Sequence, residues 1–151
     1  MSALDKYEEA LRTIRELPGS DGLVLQLLYS AAAEGDGRAL YALGTWYLHG
    51  HKKLRKNRTK AMHFLKEAHR KGVPEAAHDL AYSYFIGHGV PKSKEKALEL
   101  YAEAALRGDT EALKGFARMV ADCQGYNSAL DIAKVLFRLR RRLMKIKSIN
   151  L

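Results

Sequence analysis

The chain has few of the residues and runs that mark secreted or membrane proteins. It holds one cysteine, Cys123, and three prolines among 151 residues. A single cysteine cannot form an intrachain disulfide, which suits a reducing compartment. No uncharged apolar run approaches the roughly 18 residues of a membrane span, and the charged start, MSALDKYEEALR, lacks the apolar stretch of a secretory signal. We therefore expect a cytoplasmic protein of one domain, residues 1–151, without a transmembrane segment.

Acidic residues are scarce in two segments. Residues 50–71 carry nine lysines and arginines against one acid, Glu67, and residues 134–147 carry seven and no acid. The rest of the chain is mildly acidic, with ten basic and sixteen acidic residues. Two basic segments on such a body predict a surface that attracts a negatively charged partner.

The sequence repeats itself with a period of about 36 residues. ALYALGTWYLHG (39–50) aligns with AAHDLAYSYFIG (76–87), and NRTKAMHFLKEAHRKG (57–72) aligns with SKEKALELYAEAALRG (93–108). The loop between the two blocks is one residue longer in the first copy. Coincidences in order across two blocks indicate a repeat protein.

Each block has the pattern of a helix. Apolar or small residues recur at three- and four-residue steps, the spacing of one helical face: Leu40, Leu43, Gly44, Tyr47 and Leu48. Gly50 and Gly72 are placed to end helices, and Asn57 and Ser93 are placed to cap the next ones. The predicted unit is a helical hairpin that must stack on neighbours to bury its apolar faces.

These residues resemble the Sel1-like repeat, a relative of the tetratricopeptide repeat. The best match spans residues 76–108 and carries Leu80, Tyr84, Gly87, Gly89, Val90, Lys96, Ala97, Tyr101, Ala104, Ala105 and Gly108. Residues 39–72 match with departures, since Lys52 replaces a loop glycine, Leu54 stands for valine and one residue is inserted; residues 29–38 match in part. The resemblance implies an all-α, right-handed α-solenoid of about four antiparallel hairpins that serves as an interaction scaffold.

The repeat register divides the chain into four predicted units. They are a degenerate N-terminal unit (1–35), two repeats (36–72 and 73–108) and a degenerate C-terminal capping unit (109–151). The predicted unit 1–35 should hold an amphipathic helix from Leu4 to Leu17, a break at Pro18-Gly19 and a helix over 23–34. Ser20 is placed before that helix much as the caps Asn57 and Ser93 are placed before theirs. The last unit should hold a helix that starts near Ala112 and a long helix over about 128–147. Atypical end units are what a stack of repeats needs to cover its end faces.

In the related tetratricopeptide architecture, the first helix of each hairpin lines a concave groove. The register places these residues on that face: Arg38, Tyr41, Thr45, His49, Glu75, His78, Tyr82, Ile86, Glu111, Lys114 and Arg118. Tyrosine and arginine are enriched in binding hot spots, so we expect this face to bind a partner. The alternative is an ordinary solvated helix face.

The last predicted helix, with the stretch FRLRRRLMKIK, combines an apolar stripe with a basic side. It fits a capping helix docked by its stripe, a helix that binds an anionic membrane surface, or a face that contacts phosphates. Together with the loop after residue 50, it supplies the predicted basic contact residues: Lys52, Lys53, Arg55, Lys56, Arg58, Arg138, Arg141, Arg142 and Lys145.

Motifs for catalysis, nucleotides and metals are weak. The glycines of GHGVPKSKEKA (87–97) follow a predicted helix and lack the spacing of a phosphate-binding loop. His49, His51 and His88 lack the spacing of a zinc site, and Cys123 fits a small core residue. We therefore predict no catalytic residue, no cofactor, no metal and no enzyme activity.

Two functions remain open from the sequence. The first is an adaptor that binds an acidic protein partner, with a bacterial toxin-neutralising, immunity-type protein as a special case that the resemblance implies. The second is nucleic-acid binding through residues 50–71 and 134–147, with an affinity that falls steeply with salt. The partner's identity, the pathway and the oligomeric state are left open by the sequence.

Overall fold

The described part of the chain is helical. The structure, a computed structural model, describes residues 2–51 and 54–121, and beyond them Arg141. Within these ranges it has seven helices and no strand: α1 (Ala3–Glu16), α2 (Asp21–Ala33), α3 (Gly37–His49), α4 (Arg58–Arg70), α5 (Pro74–Ile86), α6 (Lys94–Leu106) and α7 (Thr110–Ala121). None of these helices is long and apolar enough to cross a membrane. The predicted helix over 128–147 and Cys123 lie outside the described residues.

The chain divides into two compact units, residues 1–76 and residues 77–151. In the first unit α1 packs on α2, α2 on α3 and α3 on α4. A core cluster between α1, α2 and α3 is made of buried residues: Ala10, Val24, Leu28, Ala31, Ala39 and Leu43. Phe64 on α4 packs against this cluster and stacks on Tyr47 with ring centroids 5.8 Å apart. The cluster therefore buries parts of the predicted apolar faces of α1, α2 and α3, whereas Leu4, Ile14 and Leu17 of the predicted first helix stay about half exposed.

The core of the second unit joins its helices through small residues. The buried cluster holds Ala77, Ala81, Ala97, Leu98, Tyr101, Ala102, Ala104, Ala112 and Met119. Gly115 on α7 lies directly against the Tyr101 ring, because a Cβ there would come within 2.7 Å of the ring's Cε1 atom. Helices that carry alanine and glycine at the contact can approach closely, as the repeat pattern predicts.

Both repeats close their hairpins in the same way. Gly50 and Gly87 have φ angles of 84° and 79°, a region that favours glycine. Past the turn, the backbone N–H of Asn57 donates to the carbonyl of Tyr47 at 2.9 Å, and that of Ser93 donates to the carbonyl of Tyr84 at 2.9 Å. The stretch GHGVPKSKEKA is therefore the turn of the second repeat, and the turn of the first is one residue longer.

Equivalent residues of the two repeats form the same cation–π contact. Lys60 Nζ lies 5.3 Å from the centroid of the Tyr47 ring, and Lys96 Nζ lies 5.2 Å from the centroid of the Tyr84 ring. Such a contact contributes about 0.5–1 kcal/mol at an exposed site. The lysine of each repeat thus packs on the tyrosine of its own hairpin.

Two of the three predicted helix caps form as expected. Asn57 Oδ1 accepts from the Lys60 N–H at 3.0 Å, and Ser93 Oγ accepts from the Lys96 N–H at 3.3 Å. Both caps have extended backbones, whereas Ser20 follows the Pro18-Gly19 turn with φ −81° and ψ 32°. The Ser20 side chain makes no capping hydrogen bond. The sequence similarity between Ser20 and the other caps is therefore misleading.

This difference predicts unequal costs of removing the caps. Asn57→Ala and Ser93→Ala should each lower the free energy of unfolding by about 1 kcal/mol, since each leaves a helix N–H without its acceptor. Ser20→Ala is the matched control and should change the free energy of unfolding by no more than about 0.5 kcal/mol. Urea unfolding followed by circular dichroism measures all three. An equal loss in Ser20→Ala would show that the caps do not act through these bonds.

Candidate interaction surface

The predicted inner-face residues of the first unit are partly engaged within the protein. Tyr41 and Thr45 are half-buried, and the Thr45 hydroxyl donates to the Ala42 carbonyl at 2.9 Å. His49 and Glu75 are exposed. This part of the predicted face is therefore a mixture of structural and exposed positions.

Arg38 contributes to the stability of the first unit. Its guanidinium donates to Asp36 and to Glu8, each at 2.9 Å, and its Cζ lies 4.3 Å from the centroid of the Tyr7 ring. Burial by itself raises the pKa of Asp36, but hydrogen bonds from the Arg38 side chain and backbone outweigh it, so this pKa lies below its ordinary value. Arg38 links α1 to the start of α3, and a partner would have to compete with these contacts.

The inner-face residues of the second unit also pair with neighbours. His78 Nδ1 lies 3.5 Å from an Asp109 carboxylate oxygen, and the His78 ring packs edge-on against Tyr101 with centroids 5.6 Å apart. The other oxygen of Asp109 accepts from two backbone N–H groups at the start of α7.

Further along this face, Lys114 donates to Glu111 at 2.6 Å, which lowers the pKa of the Glu111 carboxyl. Ile86 is half-buried, Arg118 is exposed, and the Tyr82 side chain is 52% exposed. Tyr82 and Arg118 are therefore accessible to a partner.

The segment that we call the basic loop, residues 51–60, consists of the connection between α3 and α4 and the first three residues of α4, and it carries exposed cations. His51 and Leu54 pair through reciprocal backbone hydrogen bonds of 3.0 and 2.7 Å, which closes a tight turn. The exposed basic residues of the loop are Arg55, Lys56, Arg58 and Lys60, while Lys52 and Lys53 lie outside the described residues. Lys56 packs over Gly50, with its Cγ 3.1 Å from where a Cβ would stand. Its counterpart Lys92 packs over Gly87 in the same way at 3.3 Å.

Most of the second predicted basic segment is not described. Arg141 is helical and exposed. Arg138, Arg142 and Lys145 lie outside the described residues, so their part in a binding surface stays a prediction. Within the described ranges, no group of three or more histidine, cysteine, aspartate or glutamate side chains could hold a metal ion.

A cavity in the first unit was not anticipated from the sequence. It has a volume of about 350 Å³ and lies between the end of α1, the α1–α2 turn, α2 and α3. Its lining includes Ile14, Leu17, Pro18, Val24, Trp46 and His51. The Trp46 and His51 rings are stacked, with centroids 3.8 Å apart and planes 3° apart.

The repeat register contains the signal that could have located this cavity. Trp46 occupies the position of Ser83 in the next repeat, which is buried, and His51 occupies that of His88, which is exposed. The stacked pair is therefore specific to the first repeat. A large aromatic residue where the next copy has a serine marks a departure from the repeat's packing.

Comparisons with known proteins agree with the repeat register. The model of the Sel1 repeat family matches residues 37–73 and 74–109. A curated relative from Arabidopsis thaliana, the ERAD-associated E3 ubiquitin-protein ligase component HRD3A, is 34% identical over 82 residues, which is 54% of this chain. The aligned region is 12% of that relative, so this chain matches a small part of a much longer protein.

Solved structures show the same fold. The Sel1 repeat protein from Oxalobacter formigenes aligns with a TM-score of 0.72 at 29% identity, covering 77% of this chain and 88% of that one. Protein c5321, a protective antigen of uropathogenic Escherichia coli with an SLR fold, aligns with a TM-score of 0.75 at 18% identity, over 90% of this chain and 28% of that one. Helicobacter pylori cysteine rich protein B aligns with a TM-score of 0.65 at 22% identity, over 74% and 84%.

The predicted fold class and family are both confirmed. The helices of the described ranges follow the predicted hairpin register, and the structural neighbours are Sel1 helical solenoids. The two matched segments coincide with the predicted repeats to within a few residues. Residues 37–109 are therefore two consecutive Sel1 repeats.

Proposed function

We propose that this protein is an adaptor that binds an acidic protein partner through its basic loop and its inner helix faces. Sel1 repeat proteins generally mediate protein–protein interaction and are mostly non-catalytic. The observation that carries the proposal is the group of exposed cations Arg55, Lys56, Arg58 and Lys60, which directly follows the turn that His51 and Leu54 close by backbone hydrogen bonds. Surface charge of one sign on an ordered turn steers and orients an oppositely charged partner.

The inner-face residues supply the second part of the proposed surface. Tyr82 and Arg118 are exposed in the second unit, and His49 and Glu75 are exposed in the first. Tyrosine and arginine often contribute most of the binding energy at protein interfaces. A special case of this proposal is that the acidic partner is a bacterial toxin, which this protein neutralises in the manner of an immunity protein.

Affinity capture tests the proposed function. The full chain is immobilised and exposed to nuclease-treated lysate of its source organism at low and at moderate salt. We expect one or more acidic proteins to be enriched at low salt and to be lost in part as salt rises, because exposed charge pairs are screened. If no protein is enriched at either salt concentration, the adaptor proposal is contradicted.

The same exposed cations favour nucleic acid as the second candidate. Arg55, Lys56 and Arg58 could equally contact phosphates, whose binding weakens steeply with salt. A mobility-shift assay at about 50 mM salt, where phosphate contacts are strong, distinguishes the two candidates. A shift that competitor nucleic acid removes, together with an empty capture experiment, would support this second candidate.

A further inference from the structure

The cavity of about 350 Å³ adjoins the basic loop, so an apolar pocket and positive charge lie next to each other. Its lining combines the apolar side chains of Ile14, Leu17 and Val24 with the stacked Trp46 and His51 rings, and Ser20 and Asp21 add two polar side chains. Its volume of about 350 Å³ is near the lower end of the range typical of ligand pockets. That size suits one or two side chains of a partner better than a large cofactor.

The rim of the cavity exposes apolar surface to solvent. The Ile14 and Leu17 side chains are 48% and 55% exposed at the end of α1. Gly19, in the adjoining turn, has open space around it, since a Cβ there would meet no atom within 4 Å. A cavity with exposed apolar residues at its mouth can receive a side chain without displacing core residues.

Charge decides which kind of partner fits. His51 is both a wall of the cavity and the first residue of the turn that leads into the basic loop. Lys56 lies over Gly50, next to His51, and Arg55 beside it is exposed. Asp21 is the carboxylate of the lining, so the positive charge comes from the loop and not from the cavity. An apolar side chain in the cavity would therefore have positive charge beside its flanking residues.

We propose that this cavity anchors a large apolar side chain of an acidic peptide segment in the partner protein. The anchor fills the space between Leu17 and the Trp46–His51 stack, and acidic residues beside it pair with Arg55 and Lys56. This inference rests on the proposed function and specifies where and how the acidic partner is held. A few side chains buried in pockets usually contribute most of the binding energy of a protein interface.

Trp46 provides a direct readout, because it is the single tryptophan of the chain. The probes are three synthetic peptides: a phenylalanine flanked by glutamates, the same peptide with alanine at the centre, and the phenylalanine peptide with lysines in place of the glutamates. None of them contains tryptophan, so emission reports on the cavity alone. Binding of the two acidic peptides is also measured by fluorescence anisotropy of an attached dye.

The phenylalanine–glutamate peptide should change Trp46 emission saturably and bind at least about tenfold more tightly than the alanine peptide, since burial of the ring is lost. The lysine peptide should not bind. Leu17→Gln should weaken binding of the phenylalanine–glutamate peptide and leave the affinity for the alanine peptide unchanged. Leu23→Gln is the matched control, because Leu23 is 46% exposed on α2 and is not part of the cavity lining, and it should change neither.

Each other outcome overturns the cavity proposal. Equal binding of the phenylalanine and alanine peptides would leave the basic loop as an acidic-peptide site without an anchor. Absence of peptide binding, with a partner still captured from lysate, would leave the proposed function standing on another surface. Binding of the lysine peptide would contradict the charge argument. Emission that changes with protein concentration alone would assign the cavity to a second copy of this chain.

Discussion

Gly44→Ala is expected to destabilise the protein in the wild-type background and to stabilise it in a Leu65→Ala background. A Cβ at Gly44 would stand 2.8 Å from Leu65 Cδ2 and 3.3 Å from the Leu65 backbone nitrogen. Leu65 is fully buried and cannot move away without a shift of α4. Overpacking of this kind costs about 1–3 kcal/mol, which exceeds the gain of up to about 1 kcal/mol from replacing a helical glycine.

The Leu65→Ala variant reverses the balance. By itself it should lower the free energy of unfolding by about 2–5 kcal/mol, since it leaves a cavity in the α3–α4 contact. The added methyl of Gly44→Ala then lies in space that the leucine vacated, so the helix propensity gain remains and the contacts with Leu65 Cδ2 and Cγ are removed. The 3.3 Å approach to the backbone nitrogen of residue 65 remains and requires a shift of only a few tenths of an ångström. The two changes should therefore not be additive.

Urea unfolding of the wild type, both single variants and the double variant measures this coupling. We expect the double variant to have a higher free energy of unfolding than Leu65→Ala alone. If Gly44→Ala is stabilising in both backgrounds, the close approach of α3 and α4 at Gly44 is not a constraint. The second repeat has Ala81 at the corresponding position, where its helices already accommodate a methyl group.

Charge reversal in the basic loop is expected to have the largest effect on partner binding. Lys56→Glu together with Arg58→Glu replaces two exposed cations with anions, which places like charges against an acidic partner. Such juxtaposition costs several kcal/mol, so the affinity should fall by at least about tenfold at low salt, where each tenfold step is about 1.4 kcal/mol. The loss should shrink as salt rises, because screening weakens both the original attraction and the new repulsion.

The second repeat supplies the matched control. Lys92 and Lys94 occupy the positions of Lys56 and Arg58 in the repeat register, and Lys92 packs over Gly87 as Lys56 packs over Gly50. Lys92→Glu with Lys94→Glu gives the protein the same net charge as the first variant. It should change the affinity for the partner by no more than about threefold, because these charges lie outside the proposed contact and act on the partner only at long range.

The local features of the fold could be predicted from the sequence because their signals are short-range. Gly50 and Gly87 end their helices, and Asn57 and Ser93 cap the next ones, through contacts that span a few residues. The repeat register also predicted which helices pack together, since the small residues of neighbouring helices must meet. The Ser20 cap failed because the preceding turn, and not the residue type, determines its backbone angles.

The candidate site was less predictable because its contacts are long-range. Arg38 was assigned to the inner face, but its partner Glu8 lies 30 residues away on α1, and the Tyr7 ring lies on the same helix. The Trp46–His51 stack likewise depends on the chain turning back on itself after Gly50. Neither contact has a sequence signal apart from the departure of Trp46 from its counterpart Ser83.

Titration of the captured partner against the wild type and the two charge-reversed variants, at about 50 and 300 mM salt, tests the binding surface most directly. We expect Lys56→Glu/Arg58→Glu to weaken binding at least about tenfold at the lower salt concentration and less at the higher one. We expect Lys92→Glu/Lys94→Glu to bind nearly as the wild type does. Equal losses in the two variants, or no loss in either, would contradict binding of an acidic partner at the basic loop.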